Sequence, residues 1–286
     1  MRKGWFAQMS QEIWQLQNNI NYLTLPDWEK RGAKVVFTSR HAGASEGIYN
    51  SLNMALHVGD KPEAVLKNRK QAMKLMGLDL SHMVCCQQAH GNQVAVVDSS
   101  LAGRGSRDHE DALPATDGLV TAVPDLVLAT FYADCIPVFL FDPVRKVAAL
   151  CHSGWKGTMG LIIIQALEVM RRQYNCQPAD ILVYIGPGIG SCCYEIQADL
   201  ADKVLSAFPD DNDIIIVKQQ GITWDLKETI RRCAINYGIP KNQITVSSWC
   251  TSCSTDYFYS YRKEQGKTGR MAALIALVGV KEHEKP

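Results

Sequence analysis

The chain carries no excess of charge: 30 Lys and Arg stand against 29 Asp and Glu over 286 residues, a formal net charge of +1. Without a whole-molecule field, nothing concentrates nucleic acid or anionic lipid at its surface, so a small neutral or weakly anionic partner is expected. Long hydrophobic runs are missing too. The longest apolar stretches, around Leu161 to Ile164 and Met271 to Val280, fall well short of the roughly 20 residues that span a bilayer. No internal repeat, low-complexity tract or long charge run occurs, which excludes repeat arrays and disordered interaction tails. The basic N-terminus, MRKGWFAQMSQEIWQLQNNI, has its apolar residues broken by Gln, Ser, Glu and Asn, and so lacks the continuous core of an export signal. Ten cysteines are too few for a disulfide framework at this length, and the adjacent pairs Cys85-Cys86 and Cys192-Cys193 suit reduced thiols. A cytoplasmic location is expected, with most cysteines acting as small buried hydrophobes.

What is present is a folding composition: 47% apolar and 21% charged residues, with 21 Gly and 11 Pro, near the average for soluble globular chains. The length suits one enzyme-sized domain spanning residues 1–286, with 1–32 as an N-terminal extension. Ala33 to Ser39 reads as a strand. Asp60-Lys61-Pro62-Glu63 reads as a capped helix start, with the helix ending near Gly77. Met83 to Gln88 and Gln93 to Asp98 read as strands around the turn Ala89-His90-Gly91-Asn92, and the Gly-rich stretch from about Ser99 to Thr116 as a mobile surface loop. Four short runs rich in β-branched and aromatic residues follow, at Gly118 to Thr121, Leu126 to Tyr132, Pro137 to Phe141 and Val147 to His152. Beyond them Gly154 to Asn175 reads as a loop entering an apolar helix, and Asp180 to Ile185 as a buried strand. Asp199 to Phe208 and Asp225 to Tyr237 read as amphipathic helices, and Ile244 to Ser248 and Met271 to Val280 as closing strands. Strands interleaved with helices but without strict βαβ alternation predict an α+β fold, a layered α/β sandwich on a mixed β-sheet, not a Rossmann fold.

Three segments each set a good metal ligand beside Gly, Asp or Pro at a predicted strand end: Gln88-Ala89-His90-Gly91, Tyr132-Ala133-Asp134-Cys135 and Cys151-His152-Ser153-Gly154. The ligands lie 45 and 17 residues apart, too far for a compact zinc module, so only tertiary folding assembles them. Two imidazoles and a thiolate form the donor set zinc prefers, and three protein ligands leave a fourth position open for water, whose pKa zinc lowers toward about 7. The same residues also fit a bland reading, with His90 a turn residue, Cys135 a buried thiol and His152 a core imidazole. They fit a metal-free one as well, with Cys135 a nucleophile activated by His152 and a third group orienting the ring.

Seven segments in order narrow this choice: Ser51-Leu52-Asn53-Met54-Ala55-Leu56-His57-Val58-Gly59-Asp60; His90-Gly91-Asn92; Thr116-Asp117-Gly118-Leu119; Ala133-Asp134-Cys135; His152-Ser153-Gly154-Trp155-Lys156-Gly157; Ile185-Gly186-Pro187 through Cys192-Cys193-Tyr194-Glu195; and Thr268-Gly269-Arg270-Met271-Ala272-Ala273. Together they resemble the bacterial polyphenol oxidase or laccase-domain family, understood as purine nucleoside phosphorylases with adenosine deaminase activity. The resemblance runs from about Val35 to the C-terminus. It implies a catalytic Zn²⁺ on His90, Cys135 and His152. It implies phosphorolysis of adenosine and inosine to base and ribose 1-phosphate, cleavage of methylthioadenosine, and deamination of adenosine. One departure is Ala89, which stands where that family usually has a larger apolar residue.

Deamination needs a carboxylate to shuttle protons, for which Asp134 and Glu195 are the candidates. Phosphorolysis needs cations on phosphate, and Arg40, Arg69, Lys156 and Arg270 lie in or beside the shared segments; each also reads as a surface charge. Asn53 and His57 are candidates for the nucleoside pocket, while Asp60 reads as a helix cap. Gly186-Pro187-Gly188-Ile189-Gly190 reads equally as a phosphate cradle or a tight turn. Cys250-Thr251-Ser252-Cys253 has metal or redox spacing but no second such motif, and reads as inert thiols. The aromatic run Tyr257 to Tyr261, ending at Arg262, offers faces for a purine, or for the core. Competing readings are a copper-dependent phenol oxidase, a cysteine hydrolase, and a noncatalytic protein with structural zinc. Seven histidines are fewer than the roughly ten imidazoles a multicopper set requires, although a single copper fits the same His, Cys, His site. The oligomeric state and the preferred nucleoside stay open.

Overall fold

A computed structural model describes residues 11–219 and 221–279. The basic first ten residues and Val280, at the end of the last predicted strand, lie outside that range. The chain runs through β1 (Ile13–Gln17), β2 (Ile20–Thr24), α1 (Pro26–Arg31), β3 (Ala33–Thr38), α2 (Pro62–Met76), β4 (Met83–Cys85), β5 (Val94–Val96), β6 (Gly118–Thr121), β7 (Val127–Tyr132), β8 (Ile136–Asp142) and β9 (Val147–Ser153). It continues through α3 (Trp155–Met159), α4 (Ile162–Tyr174), β10 (Leu182–Ile185), β11 (Glu195–Ile196), α5 (Ala198–Ala207), β12 (Ile215–Lys218), β13 (Gly221–Trp224), α6 (Leu226–Tyr237), β14 (Ile244–Val246) and β15 (Met271–Leu277).

The fold is α+β, and its mixed sheet is divided into two. One six-stranded sheet has the order β1-β2-β3-β15-β7-β4 and the other β14-β10-β8-β9-β6-β5, with a small β11-β13-β12 sheet beside them. Both large sheets are mainly antiparallel, with parallel pairing at β4–β7, β10–β14 and β5–β6. Their central strands are apolar on both faces, and the period of two sorts the side chains into layers. Val35, Phe37, Leu128 and Ile275 of the first sheet meet Phe139, Phe141, Ala148 and Leu150 of the second in a shared core. Their neighbours Val36, Ala129 and Leu274 turn outward onto Ala72, Met73 and Met76 of α2. Val138, Leu140 and Ala149 turn the other way onto Leu167 of α4, Val204 of α5 and Ile230 of α6. Helix, sheet, sheet and helices are thus stacked in that order, which explains why these strands read as continuous apolar runs.

The sequence reading of individual elements needs three corrections. Asp60 does not cap α2. The cap position is Lys61, one residue later than Asp60, whose carboxylate accepts instead from the Lys61 N–H (2.8 Å) and from Asn53 Nδ2 (2.9 Å). The stretch from Ser99 to Thr116 is irregular but pinned: Arg69 donates to the carbonyls of Gly105 and Ser106 (2.8 and 2.9 Å), and Leu113 exchanges backbone bonds with Cys85 and Gln87. Third, the strands flanking His90 do not share a sheet. β4 lies in the first and β5 in the second, so residues 86–93 cross between sheets. β1 and β2, within the stretch expected to be an extension, pair with each other and with β3.

Candidate metal centre and cavity

Each of the three sequence-predicted ligands sits where the chain crosses between sheets or ends a central strand. His90 lies in the 86–93 crossing. Cys135 lies in the three-residue crossing from β7 in the first sheet to β8 in the second. His152 is the penultimate residue of β9, paired with Pro137 of β8. Crossings this short force unusual backbone: His90 has φ 60° and Asp134 φ 84°, a region that residues with a Cβ seldom occupy. The result is that one donor atom from each of His90, Cys135 and His152 lies within 4.8 Å of the others. The imidazole planes of His90 and His152 stand 77° apart with ring centres 4.9 Å apart. A Cβ on Gly154 would lie 2.9 Å from Cys135 Sγ and 3.3 Å from His90 Cδ2, so the absence of a side chain there keeps room beside the ligands.

Asp117, to which sequence reasoning gave no role, organises this cluster. It is fully buried and precedes β6, and its carbonyl accepts from the His152 N–H at 2.7 Å. Its Oδ1 accepts from His152 Nδ1 (2.8 Å) and the His90 N–H (3.0 Å); its Oδ2 accepts from the Gly91 N–H (2.7 Å) and the Ala89 N–H (3.1 Å). One carboxylate thereby fixes both histidines. With Nδ1 engaged, His152 presents Nε2 to the cluster, the carboxylate–histidine arrangement that orients metal ligands. The signal was present in Thr116-Asp117-Gly118, an acid beside a strand, but nothing local tells such an Asp from a turn residue.

The electrostatics suit a thiolate. Burial pushes the Cys135 thiol up, yet the adjacent His152 and His90 outweigh it and bring it down to about 6. Burial likewise opposes charge on His152, but Cys135 and Asp117 raise it to about 9. Without a metal the pair is therefore a thiolate and an imidazolium, and a metal must displace the imidazolium proton. The donor set, its spacing and the room at Gly154 fit a borderline divalent ion.

The ligands form the floor of a cavity of about 480 Å³, within the usual range for small-molecule sites, with Phe131, Tyr194 and Tyr261 on its walls and His57, Arg262 and Arg270 among its polar groups. Of the other sequence-predicted residues, His57, Asp134 and Arg270 line this space. His57 is held down to about 4, first by burial of part of the ring and then by His109, Arg270 and Arg69. Arg270 leans on the Tyr261 ring (5.6 Å) and donates through one nitrogen to the carbonyls of Thr268 and Gly269.

The remaining predicted residues lie outside the lining. Arg69 is buried under the Phe131 ring, its guanidinium bound to the carbonyls of Met54, Gly105 and Ser106. Asn53 is buried and holds the Arg270 N–H (2.9 Å). Arg40 pairs with Glu264 (3.0 Å) over the Tyr259 ring. Lys156 is exposed on α3. Glu195 is exposed at the start of β11, and its carbonyl accepts from Arg262 (3.0 Å). In the glycine-rich turn the N–H groups of Gly186, Ile189 and Gly190 bond to Pro137, Asp134 and Cys250, which takes these three donors away from any phosphate. Arg262, noted before only as the end of an aromatic run, does line the cavity, whereas Phe258 and Tyr259 of that run are core.

Residues 34–278 match the family model described as "Multi-copper polyphenol oxidoreductase laccase". The chain belongs to this family. It is 37% identical over 246 residues to the purine nucleoside phosphorylase YlmD of Geobacillus stearothermophilus, covering 85% of this chain and 90% of that protein. It is 36% identical over 262 residues to the purine nucleoside phosphorylase YlmD of Bacillus subtilis, covering 89% and 94%. The crystal structure of the Geobacillus protein superposes with a TM-score of 0.89 at 35% identity, covering 94% of this chain and all of that one. That of the hypothetical protein YfiH of Bacillus licheniformis gives 0.88 at 37%, covering 92% and 98%. In this laccase-like chain no helix among the described residues is long and apolar enough to cross a membrane.

Proposed function

We propose that this member of the laccase-like family is a zinc-dependent purine nucleoside phosphorylase, cleaving adenosine, inosine and methylthioadenosine with phosphate and also deaminating adenosine. The observation that carries the reading is the convergence of His90, Cys135 and His152 beneath a cavity lined by aromatic faces and two arginines, in a chain similar throughout to proteins named for that reaction. Zinc bound to the three ligands supplies a Lewis acid and an activated water for deamination. The chain's own residues bind, orient and hold charge. Arg270 and Arg262 hold phosphate against C1′ of the sugar, as charge-assisted donors do best. Phe131, Tyr194 and Tyr261 give the purine apolar and aromatic surface. His57, neutral through the physiological range, donates or accepts a hydrogen bond at the rim.

Asp134 acts by positioning. Its carboxylate is buried and accepts from Thr251 Oγ1 (2.6 Å), Ser260 Oγ (3.0 Å) and the Arg262 N–H (2.7 Å). It thereby fixes the segment that carries Tyr261 and Arg262 while its own backbone turns Cys135 into place. Glu195 fixes the Arg262 guanidinium through its carbonyl. Of the two, Asp134 lines the cavity and is the carboxylate available to move the deamination proton, whereas the exposed Glu195 side chain lies outside the lining.

Incubating the zinc-replete protein with adenosine and chromatographing the products tests the reading. Adenine and ribose 1-phosphate are expected only when phosphate is present, and inosine with or without it; unchanged adenosine in every tube refutes the proposal. Replacing Arg270 by Ala removes one charged contact worth about 1.5–3 kcal/mol. The KM for phosphate is then expected to rise on the order of 10- to 100-fold, with a smaller change in the KM for nucleoside.

Two other chemistries meet specific observations. The Cys135–His152–Asp117 chain is also the geometry of an activated cysteine nucleophile. In chelated protein, alkylation of Cys135, followed by peptide mass spectrometry, should inflect near pH 6, since the thiolate predominates above the thiol's lowered pKa. Zinc should protect it. Unprotected alkylation in zinc-replete, active enzyme favours the nucleophile instead. A multicopper oxidase lacks ligands: among the described residues, the His/Cys/Asp/Glu groups able to hold a metal are the His90–Cys135–His152 cluster and one of four cysteines, with no array of imidazoles for a coupled copper site.

A further inference from the structure

The sequence offered one Cys-x-x-Cys segment without a partner; the fold supplies one. Cys192 and Cys193, between β10 and β11, meet Cys250 and Cys253, between β14 and β15, with all four sulfurs within 4.8 Å of one another. From these contacts we infer a second metal site in this protein, a four-thiolate centre for zinc, which staples together the two segments forming one wall of the cavity.

Three observations support it. First, the sulfur spacing is that of ligands sharing an ion. Four sulfurs about 2.3 Å from zinc in a tetrahedron stand about 3.8 Å apart, and Cys253 Sγ lies 3.5 Å from Cys192 Sγ and 3.4 Å from Cys193 Sγ. One sulfur nearly equidistant from two others suits a shared ion better than a disulfide, which selects a single partner at about 2.05 Å. Second, the backbone is shaped for thiolates. Gly188 and Cys250 form a parallel bridge, and the Gly190 N–H donates to Cys250 Sγ at 3.2 Å. A Cβ on Gly190 would come within 3.2 Å of Cys192 Sγ and 3.5 Å of Cys250 Sγ. Third, positive charge is at hand for a centre of formal charge −2. The buried Lys227 ammonium donates to the carbonyls of Ser247 (3.0 Å) and Trp249 (2.6 Å), the latter immediately before Cys250, and Lys218 reaches the Ser191 carbonyl (3.5 Å) before Cys192.

The role follows from position. The segment bearing Cys192 and Cys193 also bears Ile189 and Tyr194 of the cavity lining. The segment bearing Cys250 and Cys253 holds Asp134 through Thr251 and continues to Tyr261 and Arg262. Joining them fixes one wall beside the first metal site without adding a ligand to it.

The test starts from Cys135→Ala, which removes the thiolate of the first site, so that metal bound there and metal bound here are separable whatever the enzyme's activity. One equivalent of zinc per chain should remain bound after gel filtration of Cys135→Ala, and none in Cys135→Ala/Cys192→Ser/Cys253→Ser. X-ray absorption of Cys135→Ala should show a shell of four sulfurs around zinc at about 2.3 Å, a readout that needs no change to the four cysteines and stands if the triple variant misfolds. Zinc-free Cys135→Ala prepared with zinc present, a nitrogen- or oxygen-rich shell, or a disulfide among these cysteines in protein isolated under reducing conditions would overturn the assignment.

Discussion

Cys135→Ala should lower phosphorolysis by about a thousandfold or more. On the zinc-dependent reading, losing an ion that neutralises developing charge forfeits several kcal/mol, and about 4 kcal/mol is a factor of a thousand. The change is small in volume and sits at a partly buried turn, but it removes the His152 partner and the ion's stabilisation of the folded state, so the thermal midpoint should fall while activity collapses. Excess zinc should not restore it, since two imidazoles alone hold the ion weakly. The companion measurement is chelation of the unchanged protein. If the ion is essential, stripping it abolishes turnover and zinc restores it. Full activity in the chelated protein together with loss in Cys135→Ala would identify a cysteine nucleophile instead.

Asp117→Asn should damage both stability and metal binding. Each carboxylate oxygen accepts two bonds, Oδ1 from the His90 N–H and His152 Nδ1, Oδ2 from the Ala89 and Gly91 N–H groups. An amide offers only one acceptor atom, so whichever way it is turned, two buried donors face an NH₂ group. The lost charge also deprives His152, raised to about 9 by Cys135 and Asp117 together, of one of its two buried partners. Breaking a buried pair of this kind costs about 3–5 kcal/mol, to be read from the urea midpoint. Zinc affinity should fall on the order of 10- to 100-fold, as when other outer partners of metal ligands are removed. Unlike Cys135→Ala, this variant should regain much of its activity in excess zinc, because all three ligands remain. An Asn variant with unaltered urea midpoint and zinc affinity would show that Asp117 is dispensable.

The contrast between the variants restates the architecture of the site. Cys135 and His90 sit in crossings between the sheets, and neither is held by regular secondary structure. Asp117 directly precedes β6 and His152 lies in the adjacent β9, and the register of those two strands, Gly118 opposite Cys151, sets the carboxylate against the imidazole. The rigid half of the site thus positions the irregular half, through one carboxylate and three backbone N–H groups.

Much of this was legible in the amino-acid sequence, because it depends on short-range patterns. The strands β6 to β9 declare themselves through dense β-branched and aromatic residues, and α6 through Asp225, whose carboxylate accepts from the Glu228 N–H at the helix start (3.0 Å). The ligands His90, Cys135 and His152 could be proposed from their residue types at strand ends. Tertiary structure alone decided the rest. It divided the mixed sheet in two, since an apolar run gives the same pattern whether one sheet or two covers it. It chose among the basic residues, turning Arg69 inward onto carbonyls and admitting Arg262 and Arg270 to the cavity, since an arginine's sequence neighbours do not specify which way its long side chain runs. It gave Asp117 its partners from residues 89–91 and 152, and gave Cys250 and Cys253 theirs from residues 192 and 193. Local sequence determines what a residue can donate or accept; only the packing of distant segments determines what it meets.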